Sequence, residues 1–385
     1  MNWQWKTVDS IATISADSIS GLISLPTLGC QTPFLSYSFL LALETNECVG
    51  ANSGWQAKHI VIHDDDQIIA FIPGYLKQHS YGEYVFDHSW AHAYQQHGLG
   101  YYPKWINAIP FTPVPGARVL VRADVCEQDL LSFWQVNKAQ IMKKLDISSM
   151  HFLFTQQAYS DSLHEQNFYQ RRSVQFYWFN KQYKDFSEFL GLMTARRRKT
   201  INKERKSLVD AGISMRRIEG PSIKTDHLDV FYQCYQKTYM KRSGHGGYLN
   251  KSFFESLIES MPQNILLVLA YKSSTAVACA LFFNDKEGLY GRYWGALTEI
   301  SGLHFETCYY QGIEFCIENN IPLFNPGTQG EHKILRGFEP QLCFSNHSMA
   351  HPEFDNAVAD FVKREQAQIN QYQIDAGNLL PFKKA

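Results

Sequence analysis

One stretch constrains the chain more than any other. Residues 289 to 340 read LYGRYWGALTEISGLHFETCYYQGIEFCIENNIPLFNPGTQGEHKILRGFEP. The aromatic run Leu289 to Trp294 is short and predicts a strand, and Leu297 to Gly302 a loop. Ser301 can cap a helix whose first turn is Gly302, Leu303 and His304. Helical spacing puts Phe305, Tyr309, Gly312 and Cys316 on one face, with Thr307, Gln311, Glu314 and Glu318 as a polar stripe opposite. Asn319-Asn320 and Pro322 stop the helix before a second short strand, Leu323 to Asn325. A turn-rich loop, Pro326 to Gly330, then leads into Glu331-His332-Lys333 and Arg336. Strand, helix, strand and polar loop make a βαβ unit with ionisable groups where the second strand ends. Open α/β sheets bind ligands at such strand ends.

The rest of the chain supplies an α/β frame around this unit. Lys58 to His63 and Gln67 to Pro73 predict paired strands across Asp64-Asp65-Asp66. Phe86 to His97, Glu127 to Leu145, Thr194 to Ala211, Thr225 to Lys241 and Lys251 to Ser260 read as helices. Strands are expected at Trp105 to Ile109, His151 to Thr155, Val174 to Phe179, Ile213 to Glu219, Ile265 to Tyr271 and Ala276 to Asn284. A last, mostly polar helix runs from Glu353 to Ile374. A length of 385 residues and a pattern that recurs in both halves suggest two domains, residues 1–180 and 181–385. The second would carry the active site.

Composition excludes several classes. The net charge of −1 gives no global field toward nucleic acid or a membrane, so any polyanion must meet a local patch. Eight scattered cysteines form no Cys-x-x-Cys pair, which disfavours a zinc ribbon and fits a reducing, cytoplasmic setting. The first residues lack the pattern of a signal peptide. No apolar run approaches the ~18 residues of a membrane span. There is no Gly-x-Ser-x-Gly elbow, no P-loop and no Gly-x-Gly-x-x-Gly after a strand. His88 with His92, and His59 with His63, share faces, but HSWAH lacks the glutamate of a zinc protease, so no metal is expected.

The candidate chemistry is therefore carried by charge and position. Glu331, His332 and Lys333 follow a strand end, with Arg336 one turn on. Arg292 sits within the aromatic strand beside Tyr293 and Trp294. His304 and Glu306 occupy the first turn of the central helix, where backbone N–H groups favour anions. The basic helix carries Arg196, Arg197, Arg198, Lys199, Lys203, Arg205 and Lys206, against Glu204 and Asp210. It is either a solvated face or a contact for phosphates. Gly244 to Gly247, with His245, is either a surface turn or a loop that closes on a ligand.

Several of these segments together resemble the FemAB-like predicted N-acyltransferases. They are FDHSWAHAYQQHGLGYYPKW, PFTPVPGARVL, RRRKTINKERK, GRYWGA, LHFETCYYQGIEFCIE and NPGTQGEHKILRGFEP. The resemblance implies an α/β fold with two GNAT-like domains in tandem, each a mixed sheet flanked by helices. It implies transfer of an acyl or aminoacyl group from an activated donor to an acceptor amine. Fem-type relatives take the amino acid from aminoacyl-tRNA and give it to the amine of a cell-wall peptide precursor. The expected partners are thus a small-molecule or peptide amine and tRNA. No tightly bound cofactor is implied, and acyl-CoA or aminoacyl-tRNA is the co-substrate. In GNAT acetyltransferases the loop before the central helix is basic and glycine-paired. Here it reads LTEISGLHFE and retains only Gly302, which disfavours acetyl-CoA.

Direct acyl transfer needs a base, charge stabilisation and positioning, but no metal and no enzyme nucleophile. Glu331 or His332 is expected to be the base, with Lys333 and Arg292 completing the catalytic set. Arg336, His304, Glu306, Trp294 and Tyr293 are expected to bind substrate, and Arg197 and Arg198 to contact phosphate or RNA. Three other readings stay open: an acetyl-CoA-dependent N-acetyltransferase, a non-catalytic module that binds glycopeptide or RNA, and a structural or assembly partner.

Overall fold

The computed structural model describes residues 3–328 and 330–383. They form fifteen strands: β1 (Gln4–Val8), β2 (Trp55–Ala57), β3 (His59–Asp64), β4 (Gln67–Ile72), β5 (Tyr75–Lys77), β6 (Lys104–Asn107), β7 (Leu120–Val121), β8 (Ser149–Thr155), β9 (Tyr169–Phe179), β10 (Ile213–Glu219), β11 (Ile265–Lys272), β12 (Thr275–Asn284), β13 (Leu289–Ala296), β14 (Leu323–Asn325) and β15 (Glu339–Met349). The chain divides into two compact units, residues 1–173 with 342–371, and residues 174–341 with 372–385.

The division after Ser173 lies close to the expected boundary near residue 180, but the expected second domain gives up residues 342–371. Residues 342–371 return to the first unit, where β15 pairs with β8 from Phe344 to Met349. The following helix, Pro352–Asn378, packs Val358 and Val362 against Trp90 and Tyr94. Long-range strand pairing, which no local pattern announces, thus decides where this segment belongs.

In the first unit β3 pairs with β1 and β4, and β4 with β7. The order β2-β5-β6-β8-β15 continues a second sheet, antiparallel except for the parallel pair β6–β8. The helix Glu127–Leu145 lies in the connection between β6 and β8, as parallel strands require. Its Leu130, Trp134 and Ile141 share a core with Trp105, Met150 and Phe152.

The second unit repeats the scheme. Its order is β10-β11-β12-β13-β14-β9, antiparallel except for β13–β14. The connection between β13 and β14 contains the central helix, residues 303–318. The repeat is one of topology, in keeping with the order of helices and strands that both halves share. Gly312 shows how closely this helix lies on the sheet, since a Cβ there would sit 2.6 Å from the Phe324 ring. On the opposite face, a Cβ at Gly295 would lie 1.9 Å from the carbonyl oxygen of Cys234, in the helix Thr225–Ser243.

Candidate active site

The candidate site lies within the second unit and is built from three local departures from regular geometry. The first is a β-bulge. Leu281 pairs with Tyr293 and Phe282 with Gly291, which leaves Arg292 as the extra residue of β13. A bulge reverses the alternation of side chains. Tyr293 therefore packs behind the sheet against Tyr235 and Phe254, with ring centroids at 5.4 and 5.6 Å. Trp294 faces the central helix, its ring 4.9 Å from that of His304. Sequence reasoning grouped Tyr293 with Trp294 as substrate-binding. Tyr293 is instead buried in the core on the other face. Arg292 is half-buried, its guanidinium 5.3 Å from the Tyr293 ring centroid.

The second departure is in the central helix. Residues Leu303–Phe305 are α-helical, Glu306–Tyr310 form a π turn, and Gln311–Glu318 resume the α-helix. A π turn holds more residues than an α turn, so a face drawn at constant spacing fails across it. The expected polar stripe faces water only at its far end, at Glu318. Thr307 and Gln311 are buried. Arg205 reaches across from the basic helix, Ala195–Asp210, and clamps Glu306 at 2.9 and 3.0 Å and Glu314 at 2.7 and 3.1 Å. Gln311 donates to both carboxylates. Glu306 was expected to bind substrate, but Arg205 and Gln311 engage its carboxylate, so its part is structural.

The third departure is the short 3-10 helix Glu331–Arg336 that follows β14. Gln329, in the loop before it, lies outside the described residues. Arg336 donates to the Tyr310 hydroxyl at 3.0 Å, to the His332 carbonyl at 2.9 Å and to Glu204 at 2.8 Å. Its guanidinium carbon lies 3.4 Å from the Phe305 ring centroid. Tyr310 also donates to Glu204. Arg336 therefore fastens the 3-10 helix to the basic helix and holds the backbone of His332, where sequence reasoning had it touching substrate. Glu204 and Arg205, read as part of a charge run, are the ties between the basic helix and the site.

Within this frame His332, His304, Tyr309, Phe305 and Trp294 come together. His332 Nε2 lies 2.8 Å from the Tyr309 hydroxyl. The His332 ring sits 5.8 Å from His304, 5.5 Å from Phe305 and 5.7 Å from Tyr309. Burial lowers the pKa of His332, and the charges of Lys333 and Arg336 lower it further. His304 is held down to about 3, by burial first and then by the field of His332, Arg242, Lys333 and Arg336. Both rings are thus neutral at pH 7. Burial drives the Tyr309 phenol far above its ordinary value, so it remains an O–H group.

Lys333 is 1% exposed, and its ammonium donates to the Gly327 carbonyl at 2.5 Å. Burial lowers its pKa to about 7. Glu331 lies apart from this cluster. It is exposed and accepts a 2.8 Å hydrogen bond from Tyr372. Cys308, in the π turn, is pushed up to about 12 by burial, so it is a packed thiol and not a nucleophile. Arg242, which sequence reasoning passed over, ends the helix Thr225–Ser243, and its charge acts on His304, Cys308 and Tyr309. The only signal in the sequence was a basic residue just before the glycine loop.

Elsewhere the expectations resolve simply. Arg197 and Arg198 are half-buried on the basic helix and make no ion pair among the described residues. His245 packs between Tyr239 and Tyr248, at 5.6 and 5.0 Å. His59 is buried and bonded to Glu44 at 2.8 Å, whereas His88 and His92 are exposed. Among the described residues, no three His, Cys, Asp or Glu side chains are grouped to hold a metal ion. No described helix is long and apolar enough to cross a membrane.

Two α/β units, each with a helix crossing between parallel strands, define a tandem GNAT-type fold with an aromatic, imidazole-bearing site at a strand end. The chain belongs to the FemAB-like family, described as peptidoglycan biosynthesis/recognition, whose sequence profile matches residues 9–384. Among solved structures it is similar to the C-terminal domain of a protein named as a lysylphosphatidylglycerol synthetase from Agrobacterium fabrum. The TM-score is 0.52 at 10% identity, over 92% of this chain and 97% of that one. It is similar to the same degree, TM-score 0.52 and 10% identity, to a conserved protein of unknown function from Bacteroides thetaiotaomicron, over 89% and 99% of the chains. FemX matches at a TM-score of 0.47 and 10% identity, over 85% and 89%. Among curated proteins none matches the sequence.

Proposed function

We propose that this protein is an N-acyltransferase that moves an acyl or aminoacyl group from an activated donor to an acceptor amine. One observation carries the reading. A neutral, half-buried imidazole, His332, is hydrogen-bonded to a tyrosine hydroxyl at the end of β14 and walled by Trp294, His304 and Phe305. When Nε2–H donates to Tyr309, Nδ1 keeps its lone pair and can take the proton that the amine loses as it attacks the acyl carbonyl. The aromatic wall limits water, which would otherwise compete as nucleophile. Lys333 and Arg242 give the site a positive potential that favours the tetrahedral oxyanion. Glu331, exposed and bonded to Tyr372, is the weaker candidate for the base.

Membership of a family described by peptidoglycan biosynthesis/recognition supports a peptide amine as acceptor. Aminoacyl-tRNA is the donor we favour over acetyl-CoA. The loop before the central helix lacks paired glycines, and the basic helix offers Arg197 and Arg198, which make no ion pair among the described residues, as contacts for phosphates. The test is consumption of charged tRNA or of coenzyme A thioesters in the presence of amine-bearing peptidoglycan precursors. Transfer from the tRNA ester supports the reading. Transfer from the thioester alone replaces the donor, and tight ligand binding with no product from any donor makes the protein a binding module.

A further inference from the structure

Among the described residues three lysines are fully buried: Lys77, whose ammonium donates to the Tyr81 carbonyl and lies over the Trp55 ring, and Lys104 and Lys333, which are treated in opposite ways. Lys104, in the first unit, sits between Glu83 at 2.7 Å and Asp87, and also donates to Ser80 at 2.9 Å. Those charges outweigh burial and raise its pKa. Lys333 is as deeply buried, yet no carboxylate lies within 4 Å of it among the described residues. Its hydrogen-bond partner is one carbonyl oxygen, that of Gly327.

The groups around Lys333 do not offset its charge. Arg336 is cationic and already committed to Glu204. His332 and His304 are neutral, and Cys308 keeps its proton. Arg242 adds a second positive charge acting on the same cluster. A buried ammonium without a counter-charge is costly, and the cost persists in the resting protein. A transient oxyanion during turnover cannot relieve it between turnovers, whereas a bound anionic group can.

We infer that Lys333 forms an anion subsite that seats a carboxylate or phosphate group of a substrate beside His332. This rests on the acyl-transfer reading for its meaning, because the group would belong to the acceptor or the donor. As the seated oxygen meets the ammonium, the lysine proton is retained and the charge pair is formed within the site. The subsite selects substrates that carry an anionic group close to the reacting atoms and disfavours simple cationic amines.

The full-length protein tests this without any turnover. Inorganic phosphate and acetate are titrated by calorimetry, and the Lys333 ammonium is followed by NMR of lysine labelled with carbon-13, assigned with K333M. The inference expects at least one anion to bind and to raise the Lys333 titration midpoint by about one unit or more. It expects K333M to weaken binding by about tenfold or more. Preference for phosphate points to a group of the donor, and preference for acetate to a carboxylate of the acceptor. K333M removes an unpaired buried charge while keeping side-chain length, so it should fold, and a thermal melt verifies that. Absence of anion binding, or equal binding by K333M, overturns the inference. Anion binding without transfer from any donor would leave this subsite standing and sink the acyl-transfer reading. Transfer without anion binding would do the reverse.

Discussion

The Tyr309 hydroxyl lies 2.8 Å from Nε2 of His332, although the two residues belong to different elements. Tyr309 comes from the π turn of the central helix and His332 from the 3-10 helix after β14. The bond orients the ring, and the hydroxyl can accept from Nε2–H, the tautomer that leaves the Nδ1 lone pair free as a base. Y309F should keep the fold and reduce kcat by about 10- to 100-fold with little change in KM. The comparison to make is kcat against KM for a single donor. An equal loss in both Y309F and H332Q would support one unit, and an unchanged kcat in Y309F would detach Tyr309 from the chemistry.

Much of this was legible in the sequence, and what was not has physical causes. Glu127–Leu145, Ile213–Glu219, Lys251–Ser260 and Leu323–Asn325 begin and end where local pattern places them. The βαβ unit around the site was legible too, because strand, helix and stop follow in order, although the helix begins after Gly302 in a left-handed conformation and not on a Ser301 cap. Tyr293 was misplaced because a bulge at Arg292 reverses alternation, and a bulge depends on the partner strand β12. Glu314 read as part of a polar stripe and Glu306 as a substrate contact because their shared partner, Arg205, is about a hundred residues away in sequence. Arg336 could not be separated from Lys333 by residue type. What distinguishes them is that Glu204 pairs with one and no carboxylate pairs with the other.

The Arg205 clamp predicts an ordered mutational series. Glu306 is nearly buried, at 6% side-chain exposure, whereas Glu314 is at 22%. R205M should destabilise the second unit by about 3 kcal/mol, because it strands a buried carboxylate. E314Q should cost only about 1 kcal/mol, since it keeps shape and can still accept from Arg205. Urea midpoints of the variants check the order, and R205M at or above wild type would contradict it.

Lys333 predicts a stability difference that depends on pH. Its folded pKa, about 7, lies below the ordinary 10.5 of the unfolded chain. Between those values the unfolded chain holds more protons, so this residue's contribution becomes more favourable as pH rises. Its penalty is complete below pH 7. K333M should therefore be more stable than wild type by roughly 2–4 kcal/mol at pH 6, with the gap closing toward pH 10. Melting temperatures at pH 6 and pH 9.5 measure this, and a gap that widens with pH would be the wrong sign.

The first unit makes the converse prediction. Lys104 holds the Asp87 carboxyl far below its ordinary range against the opposing effect of burial, while burial pushes Glu83 up to about 7. K104M would leave both carboxyls buried without their cation. A loss of about 3–5 kcal/mol is expected at pH 7, falling as the carboxyls become protonated in acid. Denaturation of K104M at pH 5 and pH 7.5 checks both the size and the direction.

The central claim is that His332 takes the amine proton during acyl transfer. The direct measurement is single-turnover transfer of a labelled aminoacyl group from tRNA to an amine-bearing peptidoglycan precursor, with wild type and H332Q compared at saturating substrates. The account predicts that H332Q binds both substrates and slows transfer by about 100-fold or more. Transfer by H332Q at the wild-type rate would contradict it.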